Sequence, residues 1–413
     1  MNKITAVLKF LIIFCFLFWN NVDLAVAKER DLSQDPYAKI MVLTRTLEAL
    51  GKIGDKRASG VLSNGLKHKE FLVRAYAIKA LGKIGSKESV PLLRQMLNDK
   101  NQLVKIYTVG ALIRLGQIDD MQDELSSLLE NIDPAVRSNA TEETASLGDR
   151  YLHELFKRLS KENDSVVKSK IIEKLGETNF VQAVDTIEQL LEDEAPCVRQ
   201  AACYYLGLIK SKKSTPLIIE RLQDKDVKVH AAAKVALGKL EEESLIPVFW
   251  QELEEKDPIL KASSLEALGN LKDTNILPVA LKEILSEQNP TFVKIAAAKA
   301  LSLTHGTITQ KISELLKVYT NISFDNLQIN YKVNDKNLVL LLTEALVDKN
   351  NPIYKDALLL LLELKDRLSL AAIREALFSQ DPEIVATAAF VLGEMKDKQA
   401  VDYLIRVCQK YGL

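Results

Sequence analysis

The sequence predicts an all-α solenoid, in which short pairs of helices stack on one another along the chain. Two observations predict it: a leucine that returns about every 31 residues, and a small residue four positions before most of these leucines. Composition agrees, since 47% of the 413 residues are hydrophobic, 27% are charged and only 6% are aromatic. This mixture is typical of helices that pack against helices.

The repeat forms three columns in the sequence, and Thr144 interrupts the first of them. The leucines are Leu50, Leu81, Leu112, Leu175, Leu206, Leu237, Leu268, Leu301, Leu361 and Leu392. Glycine often follows directly, at Gly51, Gly82, Gly176, Gly207, Gly238, Gly269 and Gly393. The small residues are Ala77, Thr108, Ala140, Ala202, Ala233, Ser264, Ala297, Ala357 and Ala388.

Each repeat is predicted to contain two helices. In the repeat that begins at Phe71, the residues Val73, Ala77, Leu81 and Ile84 share one face at helical spacing. The glycines near the leucine predict the end of this first helix, because glycine accepts a positive φ. A proline column then predicts the first turn of the second helix, at Pro91, Pro216, Pro247 and Pro278. So short a pair cannot bury its own apolar faces, so the repeats must stack.

The regular repeats are predicted to run over residues 39–319 and again over residues 351–413. Residues 39–413 as a whole correspond to about twelve periods of 31. Residues 28–38 are predicted to be an N-terminal linker or cap. Residues 320–350 depart from the pattern, and their polar, β-branched part at 320–336 predicts either a degenerate repeat or a loop insertion.

Residues 1–27 predict a bacterial export signal. Lys3 and Lys9 form a basic start, an apolar run covers residues 10–19, and Ala25-Val26-Ala27 offers small residues for cleavage. Because this run is too short to cross about 30 Å of hydrocarbon, we expect cleavage and a periplasmic or secreted chain that is not an integral membrane protein. Retention of the segment as an anchor stays open.

The charge of the chain argues against nucleic acid as a partner. The formal net charge is −1, and no tract is rich in lysine and arginine. Binding to nucleic acid depends largely on neutralising phosphates with such residues. We therefore expect no nucleic-acid partner.

These columns resemble HEAT repeats, in particular the short variety of about 30 residues found in phycobilin-lyase-type HEAT-like proteins. The resemblance covers nearly all of the chain after the signal segment. It implies a right-handed α–α superhelix of the armadillo type. It says little about function, because the family includes scaffolds, adaptors, lyases and a few enzymes.

HEAT repeats are similar to one another in carrying an acid near the end of one repeat and a base early in the next. Here such residues stand six apart, as Asp99 with Lys105, Glu162 with Lys168, Asp193 with Arg199 and Glu255 with Lys261, with Arg137 as a partial match to Asn131. We interpret them as a structural ladder between repeats. A charged binding groove is the alternative interpretation.

The sequence offers little catalytic chemistry. The four histidines lie in separate repeats, without the spacing of a helical metal site. Deoxyhypusine hydroxylase, a HEAT-repeat metalloenzyme, depends on several His-Glu dipeptides, and this chain has only His153-Glu154. We therefore expect a protein that is not an enzyme and has no cofactor or metal.

The resemblance implies that the second helices line a concave face that meets a partner. One column of these helices reads Arg94, Leu125, Lys157, Glu188, Ile219, Trp250 and Leu281. Ile219, Trp250 and Leu281 are predicted to form an exposed apolar stripe, with Phe249 nearby and Arg94 in the same column. Alternatively, the column is rotated inward and its apolar members belong to the core.

The sequence therefore favours an exported, monomeric scaffold or adaptor that binds another protein or peptide without catalysis. The alternative function is that of a chromophore- or cofactor-lyase-like subunit, which the repeat type alone suggests.

Overall fold

The computed structural model describes residues 35–254 and 369–413 without a gap, most of 256–305, and a few single positions between 346 and 367. The export segment and nearly all of the irregular segment 320–350 lie outside the described residues. The described residues belong to two compact bodies. The central body lies within Ile132–Ile312, and the terminal body combines Val26–Asn131 with Ser313–Leu413.

Every regular element of the described residues is a helix, and the predicted alternation of two helices is confirmed. The first helices of the repeats are α1 Pro36–Ile53, α3 Phe71–Ile84, α5 Gln102–Arg114, α7 Pro134–Ala145, α9 Ser165–Glu177, α11 Pro196–Leu208, α13 Val227–Lys239, α15 Pro258–Asn270, α16 Thr291–His305 and α18 Pro382–Glu394. The second helices are α2 Ser59–Gly65, α4 Val90–Met96, α6 Ile118–Leu129, α8 Asp149–Leu159, α10 Val184–Gln189, α12 Thr215–Glu220, α14 Ile246–Leu253, α17 Leu370–Ala376 and α19 Val401–Tyr411.

Seven of the first helices begin at an acidic or amide side chain that accepts a backbone N–H of the first turn, whereas α3 and α11 have no such cap. Aspartates cap α1, α7, α9, α13, α15 and α18, and Asn101 caps α5. Such a cap satisfies a donor that has no partner within the helix. At the N-terminus, Asp35 caps α1, so the first helix begins at Pro36 and residues 36–38 are helical instead of belonging to the linker or cap.

The first helices end at a left-handed residue that recurs with the same period. The earlier repeats use glycine there, at Gly54, Gly85, Gly116 and Gly148, and the later ones use Asn179, Lys210, Glu241, Lys272 and Lys396. Lys396 follows Lys272 by 124 residues, which is four periods of 31. The number of about twelve repeats stays a prediction, because residues 306–345 lie outside the described ones.

The prediction that glycines end the first helix is confirmed at Gly85, which is left-handed at the end of α3, but it is wrong for Gly82 and the column to which Gly82 belongs. Gly82 lies inside α3, buried against α5, and a Cβ added there would come within 2.7 Å of the Cα of Ala111. Gly207 approaches Ala236 at the same 2.7 Å. These positions are therefore small because successive first helices touch there, backbone against backbone.

The predicted core is confirmed for the first helices. Val73, Ala77, Leu81 and Ile84 are all buried, and Ala77 meets the second helix α2 at Gly65, where an added Cβ would come within 2.8 Å. The second helices contribute less to the core. In α4, Leu93 is fully buried, whereas Val90 and the following Leu97 are half-buried.

In the terminal body, the last repeat packs on the first. Helix α18 packs against α1, and a Cβ on Gly393 would lie 2.7 Å from the Cα of Ala49. Arg57 also donates to Asp402 at 2.9 Å and to the backbone oxygen of Lys398 at 3.1 Å. The two ends of the array therefore meet through the same close contact that joins neighbouring repeats, so each covers an apolar face of the other.

Candidate functional site

The structure places the predicted binding column unevenly. Arg94 is 41% exposed and donates to the side chains of Gln117 at 2.7 Å and Asp120 at 2.5 Å. Ile219 is 38% exposed, on α12. Leu281 lies outside the residues whose side chains are described. Of the column, Arg94, Lys157 and Ile219 are therefore open to a partner, whereas Leu125 is buried.

The prediction that Phe249 belongs to the binding surface is wrong, because Phe249 is fully buried in the central body. It stands one period after Ile218 and shares an inward column of the second helices with Leu93 and Ile187, which are also fully buried. The neighbouring Trp250 is half-buried, and its indole N–H donates to Asp273 at 2.6 Å. Trp250 thus anchors α14 to the loop after α15 as well as presenting part of its ring.

Two further apolar side chains are exposed beside this column. Leu217 on α12 is 38% exposed, and Val248, one period later on α14, is 37% exposed. We call Leu217, Ile219, Val248 and Trp250 the second-helix apolar patch. Leu217 and Val248 were not predicted from the sequence, although the two apolar residues stand one repeat apart in it. Neighbouring apolar side chains of this kind often mark a contact with another molecule.

The ladder residues pair with different partners from those that the spacing of six suggested. Arg74 binds Asp99 at 2.8 and 3.1 Å, and Arg199 binds Asp224 at 2.7 Å through two nitrogens. In both pairs the acid stands 25 residues after the base. Arg137 with Glu162 and Lys168 with Asp193 follow the same rule, at 2.8 and 3.2 Å.

The spacing of six corresponds to a different contact, with the backbone. Arg199 donates to the backbone oxygen of Asp193 at 2.9 Å, and Arg74 donates to that of His68 at 2.8 Å. Each arginine thus ties the loop before its own first helix to the loop after its second helix. Lys261 binds Glu283 at 3.1 Å, and Glu255 lies outside the described residues.

The ladder predicts a loss of stability in acid. The hydrogen bond from Arg199 lowers the pKa of Asp224, so this carboxylate stabilises the fold above its unfolded pKa of about 4 and stops doing so as the pH falls through its folded pKa. We expect Asp224→Asn to cost about 1.5–3 kcal/mol near pH 7, and the difference from the wild type to shrink below about pH 3. Urea unfolding at several pH values measures it.

An exposed acid provides the control for this experiment. Asp185 is 85% exposed where it meets Lys213, so Asp185→Asn should change the stability by less than about 0.5 kcal/mol at any pH. A cost for Asp224→Asn that stays constant down to acid pH would contradict the assignment.

A buried charge cluster lies in the central body. Lys234 is fully buried, and its ammonium group lies 2.6 Å from Glu252, 2.9 Å from the hydroxyl of Ser264 and 3.0 Å from the backbone oxygen of Leu260. His230 also meets Glu252, at 3.1 Å. Burial raises the pKa of Glu252, but the hydrogen bonds and charges of Lys234 and His230 outweigh it and lower the pKa.

The sequence contained a signal for this cluster. Lys234 stands three residues before the column leucine, where other repeats place apolar residues or cysteine, namely Ile78, Val109, Ile172, Cys203 and Leu265. A lysine in such a column predicts either an outward rotation or a buried counterion. The structure shows the counterion.

Within the part of the chain that the structure describes, no three histidine, cysteine, aspartate or glutamate side chains are grouped so as to hold a metal ion. Cys203 and Cys408 are buried thiols, and burial raises the pKa of each to about 12. None of the described helices has both the length and the apolar character to cross a membrane.

The chain contains HEAT-like repeats. Residues 33–113 and 152–238 match the family described as HEAT repeats, and residues 384–410 match the PBS lyase HEAT-like repeat. These matches agree with the repeated helix pairs and with the ladder. No curated protein matches the chain by sequence.

Several solved structures are similar to parts of the chain. YibA of Escherichia coli is 20% identical over 62% of this chain and 95% of its own, with a TM-score of 0.40. The CpcE–CpcF complex of phycocyanin lyase from Nostoc sp. PCC7120 is 22% identical over 64% and 89%, with a TM-score of 0.28. Human deoxyhypusine hydroxylase is 17% identical over 60% and 96%, with a TM-score of 0.27. None of the three is evidence for a shared activity.

Proposed function

We propose that the protein is a non-catalytic scaffold that binds another protein or peptide through the second-helix apolar patch. The observation that carries this proposal is the exposure of Leu217, Ile219 and Val248, each 37–38%, on the second helices of consecutive repeats. Exposed apolar side chains on neighbouring elements lower the free energy when a partner removes them from water. Trp250, on the same helix as Val248, is half-buried, and tryptophan is a frequent anchor of such contacts.

Buried residues hold the second-helix apolar patch in place, so a partner can bind it without a large loss of conformational entropy. Ile218 and Phe249 are fully buried directly beneath it, and Trp250 is fixed by its hydrogen bond to Asp273. A preformed surface loses less entropy on association than a flexible one.

We further propose that the segment 1–27 directs export, so that the partner is met in the periplasm or outside the cell. A short basic start, an apolar run and small residues before the cleavage position support this. Expression in a bacterium followed by N-terminal sequencing of the periplasmic fraction tests it, and the expected first residue is Lys28. An uncleaved chain in the cytosol would rule the proposal out.

The test of the binding surface replaces Ile219 and Val248 with lysine. Both side chains are exposed, so the variant is expected to fold, and partner binding should weaken at least tenfold because two charges enter the apolar contact. Proteins captured from the periplasm by the wild-type chain are identified by mass spectrometry, and the affinity of each purified partner is then measured for both chains.

Val181→Lys is the matched control, because Val181 is 50% exposed in the turn before α10, outside the patch. It should bind as the wild type does. Equal affinities of the wild type and the double variant would place the binding surface elsewhere.

The alternative function, a lyase-like subunit that handles a chromophore, has one specific observation in its favour. Residues 384–410 match the PBS lyase HEAT-like repeat. Co-expression with phycocyanobilin and a visible absorbance spectrum of the purified protein tests it. A colourless protein would count against this alternative and leave the scaffold proposal intact.

A further inference from the structure

The first helices of the terminal body present a second surface, which is distinct from the second-helix apolar patch. The helices α18, α1, α3 and α5 each contain one leucine of the repeating column. The residues five and two positions before this leucine, and two positions after it, share one outward face of the helix. In this body these positions carry five bases, which we call the basic face: Arg45, Lys52, Lys79, Lys83 and Arg114.

Aromatic rings lie between these bases. Arg45 and Lys52 of α1 lie 5.5 and 5.2 Å from the ring centre of Phe390 on α18. Lys79 lies 4.7 Å from the ring centre of Tyr107, and the rings of Tyr76 and Tyr107 meet edge to face at 6.1 Å. The rings hold the long basic side chains along the surface through cation–π contacts. The pairing of α18 with α1 makes the face continuous across the two ends of the chain.

The basic face carries an excess of positive charge. Two acids stand among the five bases: Glu48, at 3.2 Å from Arg45 and 3.0 Å from Lys52, and Glu394, which also binds Lys52. Lys83 is exposed, and its pKa is lowered by burial of part of its side chain and by the nearby charges of Lys79, Lys52 and Arg114. The bases around Lys83 thus repel one another, and an anion placed among them would relieve that repulsion.

The same helix positions in the central body carry mostly the opposite charge. They place four acids, Glu142, Glu173, Glu177 and Glu266, beside three bases, Lys170, Lys239 and Lys299, whereas the terminal body has five bases and two acids there. The positive charge is therefore a property of the terminal body alone and not of the repeat.

We propose that the basic face binds an acidic, extended segment of a partner protein, whose carboxylates lie among Lys79, Lys83 and Arg114. Arginine and tyrosine are enriched in protein interfaces, and Arg45, Arg114 and the half-buried Tyr76 belong to this face. Helices packed 8–10 Å apart make the face about 30 Å wide, which an extended segment of about ten residues spans.

A protein partner fits the face better than a nucleic acid does. Glu48 and Glu394 lie within the face and would repel the closely spaced phosphates of a nucleic acid. A polypeptide instead places its carboxylates at intervals and offers backbone N–H groups to the two glutamates.

The experiment measures binding of a fluorescein-labelled peptide of about ten residues, in which glutamate alternates with serine, to the full chain by fluorescence anisotropy. We expect saturable binding that weakens as salt rises from about 50 to 300 mM, because salt screens exposed charges. Lys83→Glu with Arg114→Glu should weaken it at least tenfold. Lys83→Gln alone should weaken it less, and this milder variant keeps the test valid if the double variant fails to fold.

Lys239→Glu is the matched control, because Lys239 occupies the same repeat position as Lys83 in the central body. This variant, and the Ile219 and Val248 double variant, should bind the peptide as the wild type does. The proposal is overturned if neither Lys83 variant changes the affinity, if the peptide does not bind, or if single-stranded oligothymidylate of the same charge binds more tightly. Loss of the apolar-patch function would leave these results unchanged, so the two proposals fail independently.

Discussion

Gly393→Ala is expected to destabilise the protein by about 1–3 kcal/mol, the usual cost of forcing an extra methyl group into a packed contact. The new Cβ would lie 2.7 Å from the Cα and 2.9 Å from the Cβ of Ala49, so α18 and α1 must move apart. Alanine gains up to about 1 kcal/mol over glycine in helix propensity, which offsets part of the cost. Urea unfolding measures the net change.

Hydrogen exchange shows where the change acts. Amides of residues 36–53 and 382–394 should exchange faster in the Gly393 variant, since these two helices cover each other. Gly207→Ala makes the same contact with Ala236, at 2.7 and 2.9 Å, within the central body. It should cost a similar free energy but leave exchange in residues 36–53 unchanged.

Gly60 provides a control for the substitution itself, because a Cβ added there has no atom within 4 Å. Gly60→Ala should be neutral or stabilise the protein by up to about 1 kcal/mol. Unchanged exchange in both helices of the Gly393 variant would contradict the pairing of the chain ends. A zero-length cross-link between Lys52 and Glu394 should form within one chain, and a cross-link that forms only in dimers would also contradict this pairing.

Glu252→Gln is expected to destabilise the protein by about 3 kcal/mol, the lower end of the cost of breaking a buried ion pair. The substitution removes the carboxylate that lies 2.6 Å from the fully buried ammonium group of Lys234. Urea unfolding near pH 7 measures the loss.

Removing the lysine should cost less than removing the glutamate, because the two partners differ in exposure. The Glu252 side chain is 20% exposed and keeps His230 and water as partners. Leucine at position 234 would match the apolar column, so Lys234→Leu should change the stability by less than about 1.5 kcal/mol. The variant with both substitutions should be more stable than Glu252→Gln alone.

Glu220→Gln is the matched control for the loss of a glutamate charge. Glu220 is 60% exposed on α12, so this variant should differ from the wild type by less than about 0.5 kcal/mol. A larger loss for Lys234→Leu than for Glu252→Gln would show that the lysine contributes through packing instead of charge.

Residues that touch only their own helix or the next one were the most predictable from sequence. The buried face of α3 and the proline at the start of the second helices follow from local periodicity, and the structure confirms them. The ladder bases were also recognisable. Their acidic partners were not recognisable. In a repeat of 31 residues, a base has one acid six positions before it and another 25 positions after it, and only the three-dimensional structure shows which of the two it binds.

The candidate binding surface was predictable only in part. The spacing identified Ile219 and Trp250, but it did not give the rotation of the second helix about its axis. That rotation depends on how α12 and α14 pack against the first helices, and it turns Phe249 inward and leaves Leu217 and Val248 exposed. Arg94 and Ile219 are exposed as expected, and their role in binding stays a prediction.

The sequence by itself determined the helical repeat, its period and its apolar columns, because these depend on residues within about 31 positions of one another. Only the tertiary structure decided what the glycine column does, which acid each base binds, and that the last repeat packs on the first. Each of these is a contact between distant parts of the chain, and equivalent repeats offer many equivalent partners. Packing and charge in three dimensions select one of these equivalent partners, whereas a repeating sequence does not distinguish among them.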